Sequence, residues 1–304
     1  MDWTGELMHA EGWSKPFSRP GWLFEIKHDG FRVLAMKERG RVRLHYRRGS
    51  DATRSFPDVA AALEEIRAPD FVLDAELVVL EADGRSAFHR LQQRFRLTRP
   101  GDVGPAAAAH PASLLAFDVL SARGRDLRAL PLIERKRILR ELLPPRCPVR
   151  YVDHVEERGE AVFREARRLG LEGVMAKRAD APYKAGRATA WVKIPIHHSD
   201  EFVIVGFTRP GLGREGGLHV ATRRRGKLVY AGRVGTGLTA DGIAQARELL
   251  GAHRVSAPPC SGAPRGDHTW VQPLVVCEVR YREITPGGLL RHPAFLRFRP
   301  DKSA

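Results

Sequence analysis

The stretch WLFEIKHDGFRVLAM, residues 22–36, decides how the rest of the chain is read. Its first five residues are apolar or strand-compatible except at Glu25, and residues 31–36 alternate in the manner of a second strand. Residues 28–30 between them form a turn sequence that ends in glycine. The pattern therefore predicts a hairpin that holds Lys27 rigidly at the end of its first strand.

Length and charge set the broad class of the protein. The 304 residues, 43% hydrophobic and 29% charged, predict an ordinary soluble globular protein with two domains. The formal net charge of +15 predicts a polyanionic partner, most simply nucleic acid. Most of the basic residues are arginine, so the arginine bias of a GC-rich genome remains an alternative explanation for part of that charge.

Targeting signals and cysteine usage indicate the compartment. The sequence carries no pattern typical of a secretory leader or of a membrane-spanning segment. Its three cysteines, Cys147, Cys260 and Cys277, form no Cys-x-x-Cys pair, which favours a reducing compartment and argues against a structural zinc site. We therefore expect a cytoplasmic protein that does not associate with a membrane.

The predicted secondary structure changes near residue 198, where we place a domain boundary. Residues 1–198 alternate strand and helix patterns, and residues 199–304 are mostly short strands. We expect an α+β fold, in which mostly antiparallel sheets with flanking helices precede a small closed barrel of the oligonucleotide-binding (OB) type. Predicted strands cover 22–26, 44–47, 71–80, 114–120, 173–176, 191–194, 202–207, 218–222, 228–234 and 274–281, predicted helices cover 86–95, 131–143, 162–169 and 240–250, and a Pro/Ala/Gly-rich loop covers 100–112.

Further motifs follow the segment KHDG (27–30) in a fixed order. They are YRRGSD (46–51), LDAELV (73–78), AFDVL (116–120), LEGVMAKR (171–178), WVK (191–193), RHPAF (291–295) and RPDK (299–302). Together with KHDG, these motifs contain four of the nine lysines, at positions 27, 177, 193 and 302. The ordered series resembles the ATP-dependent DNA ligases of the covalent nucleotidyltransferase superfamily, and most of all the ligase module of bacterial end-joining repair ligases.

The resemblance implies that Lys27 is the catalytic residue, which attacks the α-phosphorus of ATP and carries AMP as a covalent intermediate. The chemistry requires a lysine, because an amine can lose its proton and attack whereas an arginine guanidinium cannot. The resemblance also implies that Phe117 stacks on adenine and that Glu76 contacts the ribose or a divalent metal. The implied nucleotide-binding residues are Glu25, Arg32, Arg47, Glu76, Phe117, Lys177, Lys193, Arg299 and Lys302.

Carboxylates downstream of the lysine are candidates for a metal site. By resemblance, Glu76 and Glu172 would hold Mg²⁺ or Mn²⁺, with ATP as the co-substrate. Asp74 and Glu76 are two residues apart and share one face of a strand, where a salt bridge to arginine is the alternative role. Glu172 and Lys177 fall on opposite faces of a regular strand, so either Gly173 permits a bulge or one of them turns away from the nucleotide.

Two positions depart from the pattern of the family. Where the family has two lysines two residues apart near the α-phosphate, this chain has Lys193 followed by Pro195. The change removes a cation and a backbone donor from a strand. Arg48 stands where asparagine is usual. These departures leave open a slow, specialised or impaired enzyme.

Clusters of basic residues predict contacts with DNA phosphates, which give affinity without sequence specificity. A solvated charged face is the alternative interpretation, as core packing is for Phe117 and an exposed charge is for Arg32 and Arg47. The predicted DNA-binding residues are Arg48, Arg223, Arg224, Arg225 and Lys227.

The leading interpretation is an ATP-dependent DNA ligase that seals 5′-phosphate/3′-hydroxyl breaks in duplex DNA during repair. The resemblance implies a monomer, associated with the bacterial nucleoid, that acts on nicks or ends. It also implies a Ku-type end-binding protein and separate polymerase or phosphoesterase modules as partners. The rival interpretations are an RNA ligase, a capping-type nucleotidyltransferase, and a DNA-end-binding module that Pro195 has weakened catalytically.

Overall fold

Residues 7–95, 97, 99–144, 148–208, 216–302 and 304 are described by the computed structural model of the chain. The first six residues and Cys147 lie outside this described part. The backbone separates into two units, Met1–Ile196 and His197–Ala304, which we call the first and the second unit.

The described part of the first unit mixes strands and helices. Its strands are β1 (Met8–Gly12), β2 (Trp22–Lys27), β3 (Phe31–Glu38), β4 (Arg41–Tyr46), β5 (Phe71–Val79), β6 (Ala112–Ala122), β7 (Arg125–Asp126), β8 (Val149–Tyr151), β9 (His154–Glu156), β10 (Gly173–Arg178) and β11 (Gly186–Pro195). Its helices are α1 (Pro57–Glu64), α2 (Phe88–Phe95), α3 (Pro100–Ala109), α4 (Leu132–Leu142) and α5 (Gly159–Arg168), and a 3₁₀ turn spans Thr53–Ser55. The predicted strands and helices are confirmed, with ends that differ by a few residues.

The predicted hairpin at Lys27 is wrong, because β2 and β3 lie in different sheets. β2 belongs to a sheet ordered β1-β11-β10-β2-β9, whereas β3 belongs to a sheet ordered β4-β3-β5-β6-β7, in which β8 also pairs with β6. Gly30 permits the crossing, since a Cβ there would lie 2.0 Å from the carbonyl oxygen of Leu77. Lys27 therefore ends a strand, as predicted, but at a corner between two sheets.

Helices cover the outer faces of both sheets, and the inner faces meet in an apolar layer. Side-chain alternation on β2 places Phe24 outward, in a cluster with Ala166 of α5. On the other sheet Leu73 faces outward, in a cluster with Leu63 of α1 and Leu139 of α4. Burial of these outer side chains fixes which residues of each strand turn inward. The inner cluster contains Leu7, Met8, Leu34, Val72, Leu120, Tyr183 and Trp191.

The predicted loop at residues 100–112 is wrong, because α3 occupies most of it. Pro100 stands in the first turn of the helix, where its missing N–H removes no hydrogen bond. Residues 106–109 are four alanines, and alanine has the highest helix propensity of all residues. Alanine propensity thus outweighs the proline and glycine signals on which the loop prediction rested.

The second unit is built on a curled, antiparallel sheet. Its sheet order is β14-β13-β12-β16-β15, β19 also pairs with β16, and a bridge joins Thr236, after β14, to Ala294 of β19. The predicted helix at 240–250 and the four predicted strands are confirmed. The described elements are β12 (His198–Thr208), β13 (Gly217–Arg224), β14 (Lys227–Val234), α6 (Ala240–Leu250), β15 (Arg254–Val255), β16 (Thr269–Tyr281), β17 (Glu283–Ile284), β18 (Leu290–Arg291) and β19 (Ala294–Phe298).

Two of the three cysteines lie in the described part of the chain. Cys260 and Cys277 carry free thiols, and burial raises the pKa of both, to about 12 for Cys277. Among the described residues, none of the helices combines the length and the apolarity needed to cross a membrane.

Candidate active site

A cavity of about 710 Å³ opens on the inner face of the sheet that contains β2. This volume falls in the range of small-molecule sites, roughly 300–1,000 Å³. The structure brings together in its wall eight residues that the sequence singled out: Glu25, Lys27, Arg32, Arg47, Glu76, Phe117, Lys177 and Lys193. The rest of the wall consists of His9, Ala10, Glu11, Gly12, Ile26, His28, Val152, Met175, Arg187 and Trp191.

Lys27 stands in the cavity wall with its ammonium against a carboxylate. The antiparallel register places Gly173 of β10 beside it and Pro195 of β11 one strand further along. Nζ of Lys27 contacts the carboxylate of Glu172, and 24% of the lysine side chain is exposed. A ligand in the cavity can therefore reach the amine, which a nucleophile requires.

Gly173 explains how Glu172 reaches Lys27. Its φ of +155° is a conformation that residues with side chains rarely adopt, and a Cβ there would lie 2.5 Å from the carbonyl oxygen of Ile194. The carbonyl of Glu172 accepts a hydrogen bond from the N–H of Ile196 at 2.9 Å, which holds the start of β10 against β11. Glycine geometry, and not a regular strand, thus places Glu172 beside the lysine.

Asp74 takes part in a buried ion pair inside the first unit. It accepts hydrogen bonds from Nε and Nη2 of Arg32 at 2.8 and 2.5 Å, and from the hydroxyl of Tyr183 at 2.8 Å. The guanidinium of Arg32 lies 5.5 Å from the centre of the Phe117 ring and 5.6 Å from that of Trp191. The salt-bridge alternative is therefore what the structure shows for Asp74, and this pair fixes Arg32 next to the aromatic wall.

Glu76 and Glu172 supply two carboxylates close to Lys27. Burial raises the pKa of Glu76 to about 8, while the charge of Lys27 opposes this rise and the charge of Glu172 adds to it. A divalent cation would relieve the repulsion between the two carboxylates. Mg²⁺ typically uses one or two carboxylates together with substrate phosphates and waters, so these residues fit it. Within the described part of the chain, no group of three or more His, Cys, Asp or Glu residues is arranged to hold a metal.

Glu25 and Lys177 form a charged floor under the cavity. Oε2 of Glu25 lies 2.6 Å from Nζ of Lys177, and its Oε1 accepts a hydrogen bond from Nζ of Lys136 at 2.5 Å. Burial would raise the pKa of Glu25, but Lys136 and then Lys177 lower it below its ordinary value, so this carboxylate is ionised. Burial lowers the pKa of Lys177, whose Nζ lies 4.3 Å from the ring centres of both Phe117 and Trp191.

Sequence reasoning missed two buried basic residues, Arg135 and Lys136. Positions 132, 135, 136 and 139 of α4 follow the spacing of an inward-facing apolar stripe, yet two of them are basic. This departure was the available signal, because buried cations need acidic partners. The partners are Asp118, whose Oδ1 lies 2.8 Å from Nε of Arg135, and Glu25 for Lys136.

Arg299 and Lys302, also predicted from sequence, belong to the second unit and are not among the residues that line the cavity. Nη2 of Arg299 lies 2.7 Å from Oδ2 of Asp301, and its Nη1 lies 2.5 Å from Oε1 of Glu201. Nζ of Lys302 lies 3.7 Å from the same oxygen of Glu201. These pairs are partly exposed, which leaves both cations accessible from solvent.

The predicted DNA-binding residues are all exposed. Arg48 lies in the turn after β4 of the first unit. The turn between β13 and β14 has positive φ at Arg225 and Gly226, +49° and +79°, as two-residue hairpins require. This turn and its flanks carry Arg223, Arg224, Arg225 and Lys227, a group that we call the basic hairpin.

Comparison with known proteins gives the same family for both units. Residues 9–194 match the family described as "ATP dependent DNA ligase domain", and residues 212–302 match "ATP dependent DNA ligase C terminal region". The chain is 36% identical to the "Multifunctional non-homologous end joining protein LigD" of Pseudomonas aeruginosa, over 94% of this chain and 34% of that protein. It is 32% identical to a DNA ligase of Thermococcus fumicolans, over 92% of this chain and 52% of that protein. The chain thus spans about a third to a half of the length of these curated relatives.

Solved structures give a matching result. The crystal structure of the ligase domain from M. tuberculosis LigD aligns with a TM-score of 0.57 and 33% identity, over 98% of this chain and 96% of that chain. A mycobacterial DNA ligase D complexed with ATP and MES aligns with a TM-score of 0.56 and 32% identity, over the same shares. The predicted α+β fold class, with an OB-type sheet after the nucleotidyltransferase sheets, is confirmed. This chain belongs to the ATP-dependent DNA ligase family and resembles the ligase module of the end-joining LigD proteins.

Proposed function

We propose that this chain is an ATP-dependent DNA ligase that seals 5′-phosphate/3′-hydroxyl breaks in duplex DNA through a lysyl-AMP intermediate. The observation that carries the proposal is the position of Lys27, whose amine stands partly exposed in the wall of a cavity large enough for a nucleotide. In this proposal residues 1–198 are the adenylation domain and residues 199–304 are the OB domain.

The chemistry consists of three displacements at phosphorus. Nζ of Lys27 attacks the α-phosphorus of ATP, and a P–N bond forms as the P–O bond to pyrophosphate breaks. The amine has to lose a proton for this attack, and solvent can receive that proton because 24% of the Lys27 side chain is exposed. An oxygen of the DNA 5′-phosphate then displaces the lysine from AMP. Finally the 3′-hydroxyl attacks the 5′-phosphate, and AMP leaves.

Basic residues around the cavity would hold the phosphates. Arg32, Arg47 and Lys193 line the same cavity as Lys27, so their charges can stabilise the phosphate oxygens during the attack. We assign to Arg299 and Lys302 the orientation of the leaving pyrophosphate, on the strength of the family resemblance.

The cavity floor offers a hydrogen-bond acceptor and a donor to the edge of a purine base. Adenine presents an N6 amine donor beside the N1 acceptor, and guanine presents the O6 acceptor beside an N1–H donor. The carboxylate of Glu25 is an acceptor and the ammonium of Lys177 is a donor, next to the ring of Phe117 on which the base would stack. This combination can accept from N6 and donate to N1 of adenine, which supports ATP as the nucleotide. Guanine offers the same two polarities in the reverse order, so labelling with GTP separates the capping-type alternative.

Glu76 and Glu172 are the residues that we propose to hold Mg²⁺ or Mn²⁺, and Glu76 is also placed to contact the ribose. The cation, when bound, would offset the negative charge of the phosphates. Glu76 lines the same cavity as Lys27, and Glu172 contacts the amine of Lys27, so both carboxylates lie on the side where the α-phosphate has to bind.

The DNA substrate and partners follow from charge and from the relatives. The exposed basic hairpin and Arg48 would contact phosphates of a duplex with nicks or ends, without sequence specificity. Curated relatives are named multifunctional end-joining proteins, and this chain spans about a third of them. We therefore propose that it acts as a monomer with a Ku-type end-binding protein and separate polymerase or phosphoesterase modules, in the bacterial nucleoid. Stimulation of end sealing by an added Ku-type protein would test the partnership.

Sealing of a labelled nicked duplex by the purified chain, with ATP and Mg²⁺, tests the proposed activity. We expect sealed product from the wild type and none from K27R, which keeps the charge but cannot attack. Sealing of nicked RNA but not DNA would support an RNA ligase, and covalent labelling by GTP but not ATP would support a capping-type enzyme. DNA binding without any covalent label would support the weakened end-binding module.

A further inference from the structure

Both carboxylate oxygens of Glu25 are engaged, by two different lysines. Oε2 pairs with Lys177, which lines the cavity, and Oε1 accepts a hydrogen bond from Lys136 of α4. Lys136 is not one of the lining residues, so it lies behind the carboxylate as seen from the cavity. A ligand in the cavity would meet Glu25 and Lys177, and Lys136 can act on it through Glu25.

Three contacts hold the side chain of Lys136 in position. Besides Glu25, its Nζ donates to the carbonyl of Val152 at 2.8 Å and lies 4.5 Å from the centre of the Tyr151 ring. The residue is 1% exposed, and a buried ammonium is costly unless it is paired and hydrogen-bonded. Glu25 is 2% exposed, so removal of Lys136 would leave a buried carboxylate with Lys177 as its remaining cationic partner.

Lys136 changes which hydrogen-bonding groups of Glu25 and Lys177 are available to a base. One carboxylate and one ammonium alone would satisfy each other, and both would be poor partners for a ligand. With Lys136 holding Oε1, the floor carries one more positive than negative charge, and Oε2 is kept at a fixed position beside Lys177. The acceptor and the donor, 2.6 Å apart, are then held side by side at fixed positions, as recognition of two adjacent polar atoms on a base edge requires.

We propose that Lys136 is a positioning residue for base selection, which aims the Glu25 carboxylate and the Lys177 ammonium at the edge of the base. The proposal rests on the proposed function, since it assumes that the cavity binds ATP. It assigns a role in specificity to a helix residue that touches neither the nucleotide nor the reacting atoms.

The test compares K136M with K37M, which removes another buried lysine from the same unit. Lys37 is 9% exposed, donates to the carbonyls of Glu64 and Ile66 at 2.8 Å each, and does not line the cavity. The rate of lysyl-AMP formation is measured with ATP, with GTP, and with purine riboside triphosphate, which lacks the N6 amine. K136Q replaces K136M in the same comparison if the methionine variant does not fold.

We expect K136M to lower the ratio of kcat/KM for ATP to that for the amine-free analogue by about tenfold or more, chiefly through KM. Its preference for ATP over GTP should fall in parallel, whereas K37M should lose stability and keep both ratios. Equal losses with all three nucleotides would make Lys136 merely structural and overturn the proposal. A wild-type chain that forms no lysyl-AMP would instead overturn the proposed function, so the two failures are distinguishable.

Discussion

At the scale of the residue, Pro195 occupies a position in register with Lys27. It pairs with Gly173, which pairs with Lys27, so the three lie in one row across neighbouring strands. Strands are spaced about 4.8 Å apart, which puts position 195 about 10 Å from position 27, within reach of a lysine side chain that points at a shared phosphate. A lysine at position 195 would therefore add a charge near the α-phosphate, and its replacement by proline should slow the formation of lysyl-AMP.

P195K should raise the rate of lysyl-AMP formation by about tenfold to a hundredfold, because an added cation near the α-phosphate contributes about 1–3 kcal/mol to the transition state. Single-turnover labelling with ATP measures the rate. A185K adds the same charge at an exposed position outside the cavity wall and should leave the rate unchanged. An equal or slower rate in P195K would mean that the missing charge is not limiting.

The buried carboxylate of Glu76 should lower the stability of the folded chain while it contributes to activity. Its pKa is raised to about 8 in the folded chain, mainly by burial, and is near 4.5 when unfolded. Between these values the folded state holds a proton that the unfolded state has released, so the stability contributed by this group falls as pH rises from 4.5 to 8.

E76Q removes that titration, and we expect it to stabilise the nucleotide-free chain by about 3–4 kcal/mol more at pH 8 than at pH 5. Lysyl-AMP formation should fall by at least about tenfold, because glutamine cannot replace the carboxylate in its proposed binding of the ribose or the metal. Denaturant titrations at the two pH values give the stability difference. A variant that is equally destabilised at both pH values would contradict the raised pKa.

At the scale of the element, the corner at residues 28–30 sets the direction in which Lys27 leaves its strand. A Cβ at Gly30 would overlap the carbonyl oxygen of Leu77 on β5, which cannot move without breaking the sheet. Gly104 of α3 has no atom within 4 Å of an added Cβ, which makes it a matched control for the same substitution.

Substitution of these two glycines by alanine should change the free energy of unfolding in opposite directions. G30A should destabilise the first unit by about 3 kcal/mol or more, through overlap with the backbone. G104A should stabilise it by up to about 1 kcal/mol, since alanine is the better helix former. Chemical denaturation measures both values, and a G30A variant as stable as the wild type would show that the corner has room to relax.

The elements also show what the sequence could and could not predict. Strand periodicity located β2, β5 and β6, and hence the strands that carry Lys27, Glu76 and Phe117. The hairpin prediction failed because pairing partners depend on distant strands, and local turn chemistry does not distinguish a hairpin from a corner. The roles of the cavity residues stay predictions, since their identities came from the family resemblance.

The charged floor of the cavity could not have been predicted from local patterns. Glu25 and Lys136 are 111 positions apart, and the local sequence around either residue does not identify the other as its partner. The apolar stripe of α4 contains two basic residues, which indicates buried acids somewhere in the fold without identifying them. Such long-range pairing is set by the packing of α4 against the sheets, which only the three-dimensional structure provides.

At the scale of the whole molecule, charge governs the encounter with DNA. The basic hairpin is exposed and belongs to the second unit, whereas Lys27 belongs to the first. Affinity from phosphate binding depends steeply on salt, with a slope of about 0.9 per phosphate neutralised. Substitutions in the basic hairpin should therefore affect DNA binding and leave the first chemical step intact.

Alanine at all four positions of the basic hairpin should weaken binding to nicked duplex. The salt dependence of the affinity should flatten by about 0.9 for each phosphate that the variant no longer neutralises. The rate of lysyl-AMP formation without DNA should stay at the wild-type value. R137A removes an exposed arginine that pairs with Glu141 on α4, and it serves as the control. An unchanged salt slope in the fourfold variant would place the DNA surface elsewhere.

Lys27 is the side chain to which AMP has to become attached if the chain is a ligase of this kind. After incubation with ATP and Mg²⁺, proteolysis and mass spectrometry locate the adenylylated side chain directly. We predict AMP on Nζ of Lys27 in the wild type and no adenylylated lysine in K27R. AMP on another lysine, such as Lys177 or Lys193, or its absence from the wild-type chain, would contradict the account.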